Sequence, residues 1–148
     1  MAHTHTWCLF HVVFAVKERQ DLIPEDVLTR LWAYIGGIAR SEKITAFAIG
    51  GTTNHLHILM TIPPTMSLSK AVGMVKACSS KWLNEVIFRK RVFAWQEGYS
   101  AFSVGIRQLD AVKRYIETQQ AHHAKVDYDA EWREFLTAHR MKPGPGET

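Results

Sequence analysis

The sequence predicts an α+β fold in which helices pack against one face of a mainly antiparallel sheet. Apolar, β-branched runs alternate with segments whose apolar residues recur at helical spacing, in the order βαββαβα, with one more short helix before the tail. Between the second and third strands, the turn-rich segment Gly50–Asn54 predicts a hairpin rather than a helical crossover. With 148 residues the chain is long enough for one domain with one core. We place that domain at residues 1–139 and a flexible C-terminal tail, rich in Pro and Gly, at residues 140–148.

The first half of the chain predicts three strands and one helix. Trp7–Val16 is a nearly continuous apolar run and predicts a buried strand. Pro24, followed by two acidic residues, has the position of a first helical turn, and the helix continues to about Ser41. Ile44–Ile49 forms the second strand. The third strand begins at His55 and ends before two consecutive prolines.

The second half predicts a helix, a strand and two further helices. Ser67–Phe88 carries apolar residues at helical spacing. Phe93–Val104 reads as a fourth strand, or as a bent strand pair broken at Gly98. Helices are then expected from about Ile106 to His123 and, more briefly, around Asp129–His139.

Composition excludes several classes of protein. The chain is 47% hydrophobic and 22% charged, which is typical of a folded domain and not of a disordered one. No apolar run approaches the roughly 20 residues of a membrane span, and the N-terminus lacks the pattern of a signal peptide. We therefore expect a cytoplasmic protein without a membrane partner. Cys8 and Cys78 lie in apolar stretches and predict buried free thiols.

Two histidines at alternate positions are the main functional signal. In a strand, His55 and His57 project from one face while the intervening apolar residues cover the other. Tyr115 and Gln119 are four residues apart, which on a helix is one turn. Two imidazoles, an amide oxygen and a tyrosine hydroxyl would then converge on one cation.

Neither pair is specific alone. A half-buried strand with two partly exposed imidazoles would show the same pattern as His55 and His57. The chain contains a second pair of equal spacing, His3 and His5, which has no apolar strand behind it and is expected to be a solvated terminus. The spacing of His55 and His57 therefore indicates a metal site only when Tyr115 and Gln119 are considered with it.

The net charge is +4, and the basic residues are unevenly distributed. Clusters of this kind suit an acidic polymer such as nucleic acid, although ordinary solvated helix faces can also carry them. The residues predicted to contact DNA phosphates are Lys17, Arg19, Lys76, Lys81 and Arg114.

The order of four segments resembles one known family. His11–Lys17, Asn54–Leu59, Trp95–Tyr99 and Tyr115–Gln119, the last followed by two histidines, resemble the HUH single-tyrosine transposases of the two-hundred/six-oh-five type of insertion sequence. The REP-associated tyrosine transposases are relatives of this family. The resemblance extends over roughly residues 7–139.

The resemblance implies an RNA-recognition-motif-like antiparallel sheet with helices packed on it, the HUH endonuclease fold. It implies His55, His57 and Gln119 as ligands of one divalent ion and Tyr115 as the nucleophile. Neutral nitrogen and oxygen ligands with open positions suit Mg²⁺ or Mn²⁺ acting on a phosphate, whereas no closed four-ligand set for zinc is evident.

The expected activity is that of a metal-dependent single-stranded DNA transposase. It would cleave and rejoin DNA at hairpin-flanked sites through a 5′-phosphotyrosine intermediate. The expected partners are single-stranded DNA with hairpins and a second copy of the chain, because one nucleophile cannot hold two cleaved ends. Two alternatives remain: a domesticated nickase acting on genomic palindromic repeats, and a non-catalytic module that binds single-stranded nucleic acid.

Overall fold

The structure is a computed structural model that describes residues 3–119 and 128–138. Its centre is a four-stranded antiparallel sheet in the order β2-β3-β1-β4. The fold class predicted from the sequence is confirmed. The strands are β1 (Leu9–Ala15), β2 (Thr45–Gly51), β3 (His55–Thr61) and β4 (Ser100–Ser103), and the helices are α1 (Leu28–Ser41), α2 (Leu68–Trp82), α3 (Leu109–Glu117) and α4 (Tyr128–Ala138).

The main core lies between one face of the sheet and helices α1 and α2. Leu56 and Ile58 of β3 and Phe14 of β1 share this core with Leu31 and Ile35 of α1, and all five are 2% exposed or less. Burying side chains of this size contributes about 1.5–3 kcal/mol each. The apolar side chains of β3 therefore pack the strand against α1 and α2.

Helix α3 packs on the opposite face of the sheet. Its Ile116 is completely buried against Leu9, Ala48 and Leu59, which come from three strands. Leu136 of α4 contacts the same face through Val13 and Phe102, which lie in one cluster with it. The expectation that helices cover only one face is wrong in this respect, because the second face also carries apolar side chains that need cover.

The predicted strand at residues 93–104 is shorter than expected. Only Ser100–Ser103 pairs as a strand, while Trp95 makes a single bridge with Val16. The Trp95 indole N–H donates to Ser79 Oγ at 2.9 Å, and Gly98 adopts a left-handed φ of +79°. The left-handed backbone at Gly98 interrupts the pairing with β1 between Trp95 and β4, which agrees with the predicted alternative of a strand pair broken at this glycine.

The tyrosine helix also ends earlier than expected. α3 ends at Glu117, and Thr118 has φ −106° and ψ 19°, outside helical geometry. The predicted continuation to His123, with its two histidines, runs outside the described residues, as do residue 139 and the predicted tail at 140–148.

The structure also describes the two cysteines and the lengths of the helices. Cys8 and Cys78 are free thiols, but both are exposed, so the prediction that they are buried is wrong. In the described ranges, every helix is too short or too polar to cross a bilayer.

Gly50 allows α3 to approach the sheet. A Cβ atom at this position would lie 2.3 Å from the Ile116 carbonyl oxygen and 3.1 Å from Ile116 Cγ2. Real Cβ atoms do not approach backbone oxygens this closely, so any larger residue must displace the end of α3. Gly50 is also the register partner of His57. The packing of α3 and the surroundings of this histidine are therefore coupled.

We predict that Gly50→Ala lowers the free energy of unfolding by about 1–3 kcal/mol, the cost of overpacking at a closed contact. The matched control is Gly73→Ala in α2, where an added Cβ meets nothing within 4 Å. That change is expected to be neutral or to stabilise the fold by up to about 1 kcal/mol through helix propensity. Urea denaturation measures both, and equal stability of the two variants would contradict the close approach of α3.

Candidate active site

His55 and His57 lie side by side on the face of the sheet that α3 covers. Both are 0% exposed, and their rings meet edge to face with centroids 5.1 Å apart. In the sheet, His57 lies between Val13 of β1 and Gly50 of β2. The alternation of side chains along the strand therefore places both imidazoles on one face of the sheet, as predicted. They are buried more deeply than the side chains of a half-buried strand would be.

The turn before β3 orients the His55 ring. His55 Nδ1 lies 2.7 Å from Asn54 Oδ1 and 2.9 Å from Thr52 Oγ1. An amide oxygen only accepts, so Nδ1–H is the donor, and the lone pair of the neutral ring is on Nε2. Asn54, the last residue of the predicted turn, therefore also holds the His55 ring through this hydrogen bond.

Gln119 lies near Nε2 of His55, the ring nitrogen that is not bonded to Asn54. Its Nε2 donates to the Tyr115 carbonyl oxygen at 3.1 Å, which turns its Oε1 toward His55. Oε1 lies 3.4 Å from His55 Nε2, and Gln119 is 1% exposed. Two ligand atoms that bind one metal ion at about 2.1 Å each stand roughly 3.0–3.4 Å apart. The distance between Gln119 Oε1 and His55 Nε2 therefore fits a shared divalent cation.

Tyr115 reaches the same cluster from α3. Its ring lies edge-on to His57 at 5.7 Å between centroids. The expected geometry, with Tyr115 and Gln119 one turn apart on a single helix, is only partly correct because α3 ends between them. The hydrogen bond from Gln119 to the Tyr115 carbonyl oxygen keeps the two residues together across that helix end.

A third histidine belongs to the cluster and was missed as a site residue. His11 Nε2 lies 2.8 Å from His57 Nδ1, the two rings meet edge to edge with centroids 5.0 Å apart, and His11 is 3% exposed. The available signal was its position, since His11 is the only polar residue in β1. A buried polar side chain in an apolar strand needs a hydrogen-bond partner.

The donor set of the cluster is neutral. In the described part of the chain, no group of three His, Cys, Asp or Glu side chains could hold a metal ion. The third donor here is an amide oxygen, and a closed cysteine-rich or carboxylate-rich site is absent from those residues. Two imidazoles and one amide fit a cation that keeps further positions for other oxygen ligands.

The predicted phosphate-contacting residues fall in several places. Lys17 and Lys81 are exposed and line an open groove of about 880 Å³ at the end of α2. Arg19 is exposed just after β1, and Arg114 is exposed in the last turn of α3, next to Tyr115.

Lys76 has a different environment. Its ammonium donates to the carbonyl oxygens of Gln96, at 2.8 Å, and of Gly98, and it lies over the Phe14 ring. Burial lowers the pKa of the Lys76 ammonium. Two of the three ammonium donors of Lys76 thus hold the loop that precedes β4, and its contact with DNA stays a prediction.

Three further cations line the groove, Arg89, Lys90 and Arg91, and all are exposed. Their loop is clamped by one side chain. Asn84 Oδ1 accepts from the backbone N–H groups of Val92 and Phe93 at 3.0 and 2.8 Å, and its Nδ2 donates to the Phe93 carbonyl oxygen at 3.0 Å. The clamp is local, since Asn84 lies five residues before Arg89, but no periodic pattern in the sequence marks Asn84 as the residue that makes it.

Comparison with known proteins identifies the family. The profile of the family described as "Transposase IS200 like" matches residues 4–119, which include β1, β3, α3 and Gln119. This chain belongs to the IS200-like transposases. DNA strand transfer is the activity that this family implies. The resemblance noted from the four sequence segments is thereby confirmed.

Individual relatives agree with the family match. The transposases of insertion sequence element IS200 from Salmonella typhimurium and Salmonella typhi are each 29% identical over 125 residues, which is 80% of this chain and 81% of theirs. A candidate transposase from Deinococcus radiodurans has a crystal structure similar to this transposase, with a TM-score of 0.64 and 18% identity over 80% of this chain and 96% of that one. A REP-associated tyrosine transposase bound to a REP hairpin matches with a TM-score of 0.59 and 14% identity, over 97% of this chain and 89% of that one.

Proposed function

We propose that this IS200-like transposase is a metal-dependent enzyme that cleaves and rejoins single-stranded DNA at hairpin-flanked sites, with Tyr115 as the nucleophile. The observation that carries the proposal is the convergence of His55, His57, Gln119 and Tyr115 around one buried point, from elements about sixty residues apart in the chain. The likeness in fold to a REP-associated tyrosine transposase bound to a hairpin supports DNA with hairpins as the partner.

His55, His57 and Gln119 would hold the ion, for which Mg²⁺ or Mn²⁺ is the best match to the neutral donor set. Bound there, the ion would neutralise charge on the scissile phosphate. The protein's part is positional. Asn54 and Thr52 orient His55, the Tyr115 backbone orients Gln119, and α3 carries the phenol to the edge of the His57 ring.

The chemical step is an exchange of one phosphodiester for another. The Tyr115 hydroxyl oxygen forms a bond to phosphorus, and the bond from phosphorus to the 3′ oxygen of the DNA breaks. The phenol proton leaves, and the departing 3′ oxygen takes up a proton, giving a 5′-phosphotyrosine and a free 3′-hydroxyl. The energy of the ester is conserved, so attack by another 3′-hydroxyl reverses the step at a new junction without a nucleotide cofactor.

We also propose a homodimer as the active form. Strand exchange needs two cleaved ends to be held at once, and each chain offers one Tyr115. In the described structure this tyrosine lies against the histidines of its own chain. A dimer would bring two such sites to one DNA substrate.

The basic groove is the proposed binding site for the DNA backbone. Lys17, Lys81 and the triplet Arg89–Arg91 surround it, with Glu85 as the one acidic residue in its lining. None of the groove residues belongs to the histidine cluster. The Asn84 clamp fixes the loop, so the triplet is ordered before DNA arrives and loses less conformational entropy on binding. Arg19 and Arg114 are proposed as further contacts outside the groove.

We predict that Tyr115→Phe abolishes a denaturant-resistant adduct between the protein and single-stranded hairpin DNA in Mg²⁺ or Mn²⁺, because the variant lacks the attacking oxygen. Denaturing gel electrophoresis of labelled DNA measures the adduct. Tyr99→Phe is the matched control, since Tyr99 Oη lies 3.3 Å from Ser69 Oγ and outside the cluster, and it should form the adduct normally. An adduct formed by Tyr115→Phe would refute the assignment, and absence of any adduct from wild type would favour the non-catalytic module.

His57→Ala should abolish both cleavage and Mn²⁺ binding while hairpin affinity stays within about tenfold, because the phosphate contacts lie mostly elsewhere. Calorimetry with Mn²⁺ and a gel-shift assay give the two readouts. His5→Ala removes an exposed histidine of the same spacing and should change neither. Loss of hairpin binding together with cleavage would instead mean that His57 supports the fold.

Lys81→Gln combined with Arg89→Gln should weaken hairpin binding and lower the slope of log K against log salt by roughly 0.7–0.9 for each phosphate that the protein no longer neutralises. Lys43→Gln, an exposed lysine outside the groove, is the control and should keep the wild-type slope. A double variant with unchanged affinity and slope would remove the groove from the DNA-binding surface.

A further inference from the structure

The hydrogen bond between two buried imidazoles assigns a role to His11. His11 Nε2 and His57 Nδ1 are 2.8 Å apart, and the two residues are 3% and 0% exposed. One ring nitrogen must donate and the other accept. If His11 donated, neutral His57 would carry its own proton on Nε2, and that nitrogen would have no lone pair for a metal ion.

We propose that His11 is a positioning residue that accepts the Nδ1–H of His57 and thereby keeps the His57 Nε2 lone pair available to the ion. The inference rests on the proposed metal site. Most metal-binding histidines donate their second N–H to a carboxylate, a backbone carbonyl or water. Here the acceptor is a neutral imidazole that lies edge to edge with its partner, with an angle of 26° between the ring planes.

The neighbouring histidine is arranged in the same way by different residues. Asn54 Oδ1 accepts the Nδ1–H of His55, and this fixes the His55 tautomer as His11 fixes that of His57. Both outer acceptors are neutral. A carboxylate in either place would add a negative charge beside the ion and weaken its attraction for a phosphate. The neutral partners leave the positive charge of the ion undiminished.

The local packing holds the His11 ring in place. Phe102 of β4 and Tyr115 of α3 lie at 6.5 and 6.1 Å from it between ring centroids, and His57 meets it edge to edge. The ring is thus surrounded by aromatic groups on the site face of the sheet. His11 also couples the nucleophile's helix to the His57 ligand.

The test compares His11→Leu with His11→Gln by Mn²⁺ calorimetry, without DNA. His11→Leu keeps similar volume but has no acceptor, and its Mn²⁺ affinity should fall roughly 10- to 100-fold. In His11→Gln the amide oxygen replaces the accepting nitrogen, and affinity should return to within about threefold of wild type. His5→Leu, which removes an exposed histidine outside the cluster, is the control and should bind as wild type does.

A second measurement needs no variant at the histidine. Nitrogen-15 NMR of the imidazoles in wild-type protein saturated with Mg²⁺ should show His57 protonated on Nδ1, and a proton on His57 Nε2 would overturn the proposal. A His11→Leu protein that binds Mn²⁺ as tightly as wild type would also overturn the proposal. If His57→Ala still lost Mn²⁺ binding in that case, the proposed metal site would remain intact. If wild type binds neither ion, the metal site fails and the role of His11 fails with it.

Discussion

The alternation of side chains along β3 is the constraint on which the molecule depends. Its even-numbered residues, such as Leu56 and Ile58, form the core with α1 and α2, and its odd-numbered residues His55 and His57 face α3. A shift of one residue in register would exchange the two sets and bury the imidazoles among aliphatic side chains. The stability of the fold and the orientation of the candidate ligands therefore both depend on the register of β3, and a change of register would remove both.

The second requirement is that the buried polar atoms of this face be satisfied. Imidazole and amide groups are costly to bury without partners. His55 is bonded to Asn54 and Thr52, His57 to His11, and Gln119 to the Tyr115 backbone. These partners use the nitrogens that point away from the cluster centre, so the Nε2 and Oε1 atoms of His55 and Gln119 face each other. Hydrogen bonding at the periphery thus determines which lone pairs remain at the centre.

The sequence was sufficient for features that follow a regular period and insufficient for contacts between distant segments. The two faces of β3 were predictable because alternation is a local property, and the helices α1 and α2 followed from their apolar spacing. The hydrogen bond between His11 and His57 and the bonds of Lys76 to the loop before β4 were not, because each depends on a partner far away in the chain. The end of α3 before Gln119 is a local feature that the apolar spacing did not reveal. Gly50 likewise had the appearance of a turn residue, whereas its lack of a side chain serves the approach of Ile116.

The positive charge of the protein is kept apart from the histidine cluster, and this separation has a physical reason. Cations beside the ligands would repel a divalent ion and compete with it for the phosphate oxygens. At an exposed groove the same cations attract the DNA backbone over distances limited by the salt concentration. Lys17, Lys81 and the Arg89–Arg91 triplet occupy such a groove, whereas the cluster is built from neutral groups alone. In the proposed function, affinity for DNA and chemistry at the scissile phosphate would therefore depend on separate sets of residues. Among the described cations, Arg114 is the sequence neighbour of Tyr115 in the last turn of α3.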